Sequence, residues 1–495
     1  MAAGINKVFS WAKQNLAIVI AFGLFFLSFI WKLFFIVQRD ICIDEPFTIF
    51  HAQKSLWDIW LLSSQNEPNP PLFLILEHFV IQLFGLSPMA VRFPSLIFTS
   101  LTPVFIFLVG RKLFSSVAGI TAALLFVFST QQFYYGLEAR TYALLYMAAA
   151  ASIFFFFCFM AEPRNRKYFW LLILANIVMV YSHYFGWFVI FSEALIVLLR
   201  WKNKILVRRW ILNTVVQIIL YAPMWVVMAQ QLLISGKGTW IDPPLPRDYY
   251  IEMAKMLNGM VAFNLILCIL IATTLYYLYV NHNLRVFNWN HLYLVLLFFV
   301  PYTIMFFVSF RMPIFLNRYI LFGSVSLYLL VGGIFGALAQ NLGRLKYVPL
   351  FLLLIVSFVS LKILPTTVYF RDVQQSVAKV KSLQSDECLV VIHAFPGREG
   401  FAYYYNRALF SQPYVFDSLL RINNILPVWG VNEFKENVSK FSFKRIVYYQ
   451  DGSLFYDPSN TIYKYLDSAY HKTDSVFFEQ CFYVTAFDVC PTPAK

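Results

Sequence analysis

Asp44 and Glu45 stand side by side in the run Arg39-Asp40-Ile41-Cys42-Ile43-Asp44-Glu45-Pro46, directly after the first long apolar stretch. Ionised side chains near hydrocarbon are costly, so adjacent carboxylates there either line an aqueous site or begin an ordinary polar loop. In a site, such a pair suits general-base work, because each charge suppresses the other's ionisation and raises the basicity of one member. Arg140 and Arg318 are the matching cations. Each lies beside an apolar run, and a guanidinium fork fits phosphate oxygens. Arginines in such places also pair with a nearby acid such as Glu138, snorkel, or anchor a helix end beside an aromatic such as Tyr319. Lys237, in Ser235-Gly236-Lys237-Gly238, sits on a loop able to order over a ligand. His183 ends an apolar run in Tyr181-Ser182-His183-Tyr184-Phe185-Gly186, where a site histidine and an interfacial histidine among aromatics read alike.

The elements that must position these groups follow from composition. The 495 residues are 60% hydrophobic and only 13% charged, with 54 Phe and 30 Tyr, and the mean hydropathy is +0.65. These values exclude an average soluble globular protein and indicate a polytopic α-helical membrane protein. Runs able to cross ~30 Å of hydrocarbon as helices give about eleven expected spans. They lie near 16–37, 92–110, 116–133, 141–160, 168–186, 187–200, 210–229, 258–280, 291–310, 319–340 and 347–364. The first run is too long for a cleavable signal peptide and lacks a small-residue cleavage site.

Lys and Arg set the expected orientation. Lys7 and Lys13, Arg111-Lys112, Arg164/Arg166/Lys167, Lys202/Lys204/Arg208/Arg209, Arg285 and Arg344/Lys346 alternate with base-poor connections, which places the N-terminus in the cytoplasm. The register holds only if Pro70 to Gly85, which carries Glu77 and His78, lies at the interface instead of crossing. Ten of the twelve acids before residue 366 then fall outside: Asp40, Asp44, Glu45, Asp58, Glu67, Glu77, Glu138, Asp242, Asp248 and Glu252. The chemistry is expected on that outer face. The net charge of +14 belongs to the membrane part, since thirteen basic and thirteen acidic residues balance beyond residue 365. It suits anionic lipid headgroups, and no nucleic-acid motif accompanies it.

Residues 1–365 thus form an expected transmembrane domain and 366–495 a small soluble α/β domain, outside after an odd number of spans. Asp386 to Ile392 and Phe443 to Tyr449 have buried-strand patterns. Gly397-Arg398-Glu399-Gly400 is too short to be a phosphate loop, and an ordinary turn explains it. Cys481 and Cys490 are spaced to allow, without establishing, a disulfide, and no cysteine or histidine cluster has zinc spacing.

Several outer segments form an ordered set: Asp44-Glu45; Asn69-Pro70-Pro71-Leu72 with Arg92-Phe93-Pro94-Ser95; Tyr134-Tyr135-Gly136-Leu137-Glu138-Ala139-Arg140-Thr141-Tyr142; Ser182-His183-Tyr184; and Pro313-Ile314-Phe315-Leu316-Asn317-Arg318-Tyr319. This set resembles the bacterial membrane glycosyltransferases of the GT-C superfamily, in the branch similar to protein O-mannosyltransferases and lipid A aminoarabinose transferases. The resemblance covers roughly residues 10–365. It implies interfacial helices in the first outer loop, and transfer of a sugar from a polyprenyl phosphate to an acceptor at the outer face of the cytoplasmic membrane. The acceptor would be a glycolipid, a polysaccharide or a protein. The family's acidic motif matches Asp44 and Glu45, and its Pro-Pro-Leu segment matches Pro70, Pro71 and Leu72. The preceding position, often Lys or His in relatives, is Asn69 here, so its phosphate contact is not carried over.

Under this reading Asp44 is the general base with Glu45 second, and Arg140, Arg318 and Lys237 bind the donor phosphate. Glu67, Glu138, Tyr142, His183 and Tyr319 contact substrate. Displacement is expected to invert the anomeric centre. A divalent metal on Asp44 is an open alternative, because one carboxylate pair does not specify a metal site; no other cofactor is indicated. The competing classes are a transporter or flippase of lipid-linked sugars and a noncatalytic envelope assembly protein. A transporter would show paired repeats with charges near the midplane, whereas here the ionisable residues gather at the outer ends of spans.

Overall fold

The computed structural model describes residues 15–65, 69–238, 240–281, 287–339, 342–345, 347–362, 371–394, 397–451, 457–478 and 482–489. Helices occupy every position read as a span, but their lengths divide them. Leu16–Leu33, Pro88–Leu113, Tyr142–Ala161, Met260–Asn281, Trp289–Val308 and Asn317–Ala339 are long and apolar enough to cross a bilayer, six in all among the described residues. Lys204–Leu220 and Ala222–Ser235 make a seventh if counted as one bent span. Ser116–Val127, Gly186–Leu199 and Val348–Val359 are shorter apolar helices, and Arg166–Ser182 carries two basic residues in its first turn.

Among the described residues, six or seven of the about eleven expected spans are thus formed as helices of full spanning length, and the others as shorter or interrupted helices. The reasons are local. The run read as 116–133 ends as a helix at Val127 and resumes as Thr130–Tyr135 after Ser129 takes extended backbone. The run read as 210–229 turns by 74° between Leu220 and Ala222, where Pro223 opens the second helix. Proline has no N–H and its ring crowds the carbonyl four residues earlier, which favours a break at this position, whereas Pro88–Leu113 accommodates Pro94 and Pro103 in its interior.

Two compact units emerge. One comprises Met1–Ile36, Trp60–Phe73 and Arg92–Ile363; the other comprises Val37–Ile59, Leu74–Val91 and Leu364–Lys495. The division thus follows packing in space and interleaves segments on either side of the boundary at residue 365 read from composition.

In the first unit, burial separates central helices from peripheral ones. Asn317–Ala339 and Tyr142–Ala161 are 83% and 78% buried, against 17% for Leu16–Leu33 and 22% for Met260–Asn281. The peripheral helices expose Phe22, Val261, Leu275 and Tyr279, as a lipid-facing surface requires. Small residues let the central helices approach closely. A Cβ on Gly332 would lie 2.8 Å from the Ala118 carbonyl oxygen, and one on Gly336 would lie 2.7 Å from the Ala118 Cβ. Ser324–Ala339 therefore packs on Ser116–Val127 at backbone distance.

The second unit is built on a five-stranded sheet in the order β2-β1-β3-β5-β4. Its strands are β1 (Cys388–His393), β2 (Ile425–Val428), β3 (Arg445–Tyr449), β4 (His471–Phe478) and β5 (Phe482–Asp488). β2 and β3 run parallel to β1, whereas β5 is antiparallel to β3 and β4 to β5. β1 is buried at all six positions, the continuous apolar signature of a strand covered on both faces. One face packs Leu389, Val391, Ile446 and Phe487 against Phe434, Ile462 and Leu466. The other is covered by Val373–Leu383 and Gly397–Tyr405, which bury Val377, Val380 and Phe401. Cys481 and Cys490 lie outside the described residues.

Three helices occupy the connection between Leu33 and Pro88: Glu45–His51, Leu56–Gln65 and Leu72–Phe84. The last has 13 residues, ~20 Å at 1.5 Å per residue, too short to cross hydrocarbon.

Candidate active site

The motif Tyr134 to Tyr142 makes a compact turn between the helices Thr130–Tyr135 and Tyr142–Ala161. Gly136 is required there, because a Cβ would lie 2.3 Å from the Gln132 carbonyl oxygen and 2.5 Å from Thr99 Oγ1. The tight turn buries both Glu138 and Arg140, with the Arg140 N–H donating to the Glu138 carbonyl at 2.7 Å. Thr141 Oγ1 donates to the Ser182 carbonyl at 2.8 Å, which joins this turn to the end of Arg166–Ser182. His183 follows as that helix's C-cap in extended backbone. It lies close enough to Arg140 for the guanidinium charge to act on the imidazole.

Tyr319 completes the group. Its ring centroid is 5.6 Å from that of His183 and 6.4 Å from that of Tyr142. Arg318 lies over the Tyr319 ring at 5.7 Å and over the Trp240 ring at 5.3 Å. The first unit thus gathers Arg140, Tyr142, His183, Arg318 and Tyr319 from three distant segments, with the Arg318 guanidinium on aromatic faces and that of Arg140 near the His183 imidazole. Such a set binds an anion with forked donors and offers flat apolar surface to a ring or chain beside it.

Glu138 is close enough to Tyr146 for its charge to act on the phenol. Lys237 is exposed in the turn after Ala222–Ser235, its N–H donating to the Ile234 carbonyl at 3.1 Å. Glu67 lies outside the described residues. Arg92, part of the sequence set, is buried and donates to the Ile36 carbonyl at 2.7 Å, which ties the ends of two helices together.

The second unit holds the acidic pair. Asp44 is the N-cap of Glu45–His51, and its carbonyl accepts from the Thr48 N–H at 3.3 Å. The preceding residue, Ile43, has φ +60. A β-branched residue in left-handed backbone costs about 1–2 kcal/mol, so the surrounding contacts must impose this turn. The two acids differ in environment. Asp44 is partly exposed, whereas Glu45 is buried with Arg39, its Oε2 3.6 Å from the Arg39 guanidinium.

Glu77, on Leu72–Phe84, is also fully buried, and neither carboxyl oxygen has a hydrogen-bond partner. Burial first, and the Glu45 charge second, push its carboxyl well above the usual carboxylate range. His78 on the same helix bonds the Ala52 carbonyl through Nδ1 at 2.8 Å. Among the described residues no three His, Cys, Asp or Glu side chains gather as a metal-binding group.

Residues 68–227 match the sequence profile of the family described as dolichyl-phosphate-mannose-protein mannosyltransferase. No protein of curated function matches the chain. The crystal structure of ArnT from Cupriavidus metallidurans bound to undecaprenyl phosphate superposes with a TM-score of 0.52 at 11% identity, covering 96% of this chain and 98% of that one. The fold is of the GT-C type. An oligosaccharyltransferase from Archaeoglobus fulgidus, solved in complex with zinc and sulfate, is also similar, with a TM-score of 0.49 at 10% identity over 92% of this chain and 71% of that one.

In this GT-C fold, three participants escaped the sequence reading. Trp240 is the only aromatic residue between Ser235 and Arg247, and that isolation in a Gly- and Pro-rich loop was the available signal. Glu77 was visible as an acid inside an apolar helical run. Arg39 carried the weakest signal, because nothing in its spacing from Glu45 reveals an ion pair that depends on the turn at Ile43.

Proposed function

We propose that this protein is a glycosyltransferase that moves a sugar from a polyprenyl-phosphate carrier to a hydroxyl-bearing acceptor. The observation that carries the reading is the pair of guanidinium groups, Arg140 and Arg318, held with Tyr142, His183 and Tyr319 in a membrane-embedded unit. A lipid-linked phosphate presents the charge such a pair recognises beside an apolar tail. The ArnT structure of the same fold holds undecaprenyl phosphate, which supports a donor of that chemical class.

A glycosyl phosphate already carries its leaving group. The protein must orient the acceptor hydroxyl, take its proton and stabilise the departing phosphate. Asp44, partly exposed at the N-cap of Glu45–His51, is the group assigned to receive that proton. The acceptor oxygen forms a bond to the anomeric carbon as the carbon–oxygen bond to phosphate breaks, and the electron pair passes to the phosphate oxygen. Arg140 and Arg318 stabilise the charge that develops there, with Lys237 as a third cation. A single displacement inverts the anomeric centre; a product with retained configuration would overturn this step. The positive-inside pattern supports a reaction at the outer face of the membrane, which in this reading is a bacterial cytoplasmic membrane. Glu67, Glu138, Tyr142, His183 and Tyr319 are proposed to orient the sugar and the acceptor.

The deciding experiment follows release of free polyprenyl phosphate by the purified protein from a panel of polyprenyl-phosphate sugars with envelope glycolipid acceptors. Wild type is compared with Asp44→Asn. Release by wild type and loss of about 10²-fold or more in a folded variant is expected, the range typical of a removed general base. Equal release by the variant would move the base elsewhere, and no release with any donor would favour transport or assembly.

A further inference from the structure

The acidic loop is held by the α/β fold of its own compact unit. The Ile41 N–H donates to the Tyr404 hydroxyl at 2.6 Å, although the two residues are 363 positions apart. One residue earlier, an Asp40 carboxylate oxygen accepts from the Gln374 N–H at 2.7 Å, at the start of Val373–Leu383. Immediately after the loop, the Pro46 Cγ lies 3.5 Å from where a Cβ on Gly400 would be, so Glu45–His51 rests on Gly397–Tyr405. Farther along, the Phe50 ring sits 5.5 Å from Phe410 and 4.7 Å from Phe416. The Ser55 N–H donates to the Tyr414 hydroxyl at 2.9 Å. The grip extends to the bend after Leu72–Phe84, where the Leu86 carbonyl accepts from Tyr403 at 2.7 Å and from Arg407 at 2.6 Å.

These bonds bracket the strained turn. Ile43, with φ +60, lies between the anchored Ile41 amide and the packed Pro46. A β-branched residue relaxes out of left-handed backbone unless both flanks are fixed. The flanks are fixed by residues 374, 400 and 404, which composition assigns to a separate outer domain.

We propose that the C-terminal α/β domain is a working part of the active site, with Tyr404 and Asp40 as positioning residues that hold the loop presenting Asp44. The role of Asp44 rests on the function proposed above; the clamping of its loop does not. The domain therefore acts on turnover through the position of the base, beyond any part it takes in choosing an acceptor.

Cys42 reports the clamp directly, because its thiol is buried between Ile41 and Ile43. In the full-length protein, Tyr404→Phe removes the acceptor of the Ile41 N–H and preserves the ring. Labelling of Cys42 by a water-soluble maleimide, mapped by mass spectrometry, is expected to rise about five- to tenfold, the effect of losing one hydrogen bond that opposes local opening. Cys388, buried in β1, should label at the wild-type rate and so reports that the sheet is intact.

Asp40→Ala should open the loop likewise, whereas Asp40→Asn, which keeps a carbonyl oxygen for the Gln374 N–H, should restore protection. Unchanged Cys42 labelling in both Tyr404→Phe and Asp40→Ala overturns the clamp. Polyprenyl phosphate release should fall in kcat in these two variants, with the KM for the polyprenyl-phosphate sugar nearly unchanged. An opened loop with wild-type kcat overturns the positioning role. Should Asp44→Asn itself remain active, the base assignment fails while the labelling result still decides the clamp.

Discussion

The two compact units satisfy their polar groups in opposite ways. In the first unit, Ser152, Asn176, Glu193, Asn213 and Gln217 form a buried chain across four helices. Ser152 Oγ bonds Glu193 Oε1 at 2.8 Å, and Asn176 Nδ2 donates to Glu193 Oε2 at 3.2 Å and to Gln217 Oε1 at 3.3 Å. Gln217 then donates to Asn213, whose amide reaches the Phe169 carbonyl at 2.8 Å. In the second unit the regular ladder of the sheet satisfies the backbone, and many charged pairs stay near its surface, such as Arg445 with Asp488 at 2.7 Å and Lys379 with Asp474 at 2.6 Å.

The contrast follows from the surroundings. Hydrocarbon offers no hydrogen bonds, so a polar side chain between helices needs protein partners, and the network in turn selects one arrangement of the helices. Water competes for every exposed pair in the α/β unit, so its charges add little stability and its core of apolar strands and helices carries most of it.

The largest test of this contrast is Glu193→Leu, which removes the buried acceptor that Asn176 and Ser152 share and leaves them only each other and Gln217. It should lower unfolding stability in detergent by about 3 kcal/mol, the cost of unsatisfied buried partners. Glu193→Gln, which keeps an acceptor and adds a donor, should stay near wild type. A leucine variant as stable as the parent would show that helix packing alone holds this region.

Asp451 is a middle case, a buried carboxylate in the α/β unit. Burial raises its pKa to about 6, while Arg371, 3.4 Å away, opposes the shift. The folded state therefore binds this proton more tightly than the unfolded chain, whose carboxyl titrates near 3.8. The ionised group costs stability above about pH 6, and the cost fades as pH falls from there toward 4. Asp451→Asn should raise stability at pH 7.5 by about 2 kcal/mol and differ little from wild type at pH 4, read from thermal unfolding across pH. A variant that is less stable at pH 7.5 would mean that the pair with Arg371 outweighs burial.

The smallest effect belongs to the exposed pair of Lys444 and Glu387, 2.6 Å apart with side chains 79% and 55% exposed. Lys444→Ala should change stability by less than about 0.5 kcal/mol in urea unfolding of the full chain. A loss several times larger would break the rule that water screens this unit's charges.

Local patterns were legible where one element decides its own fate. The runs Asp386 to Ile392 and Phe443 to Tyr449 became β1 and β3, because a strand buried on both faces must be continuously apolar. The short run Gly186–Leu199 and the bend at Tyr221 were less legible. Hydropathy marks which residues avoid water, while helix length and direction depend on Pro223 and on neighbouring helices. Among candidate site residues, Arg140, Tyr142, His183, Arg318 and Tyr319 were all identifiable from type and motif order. Their gathering could not be read, since Arg140 and Arg318 are 178 positions apart and meet Tyr319 and His183 only through helix packing.

The sequence by itself determined a multi-pass helical protein with an appended α/β fold, because apolar runs and strand patterns state locally what each segment must bury. Tertiary structure alone decided how deeply each acid is buried. Glu45 and Asp44 are chemically near-equivalent neighbours until the fold buries one beside Arg39 and keeps the other partly exposed at the helix cap. That distinction is a property of distance and burial, which adjacent letters in a chain do not encode.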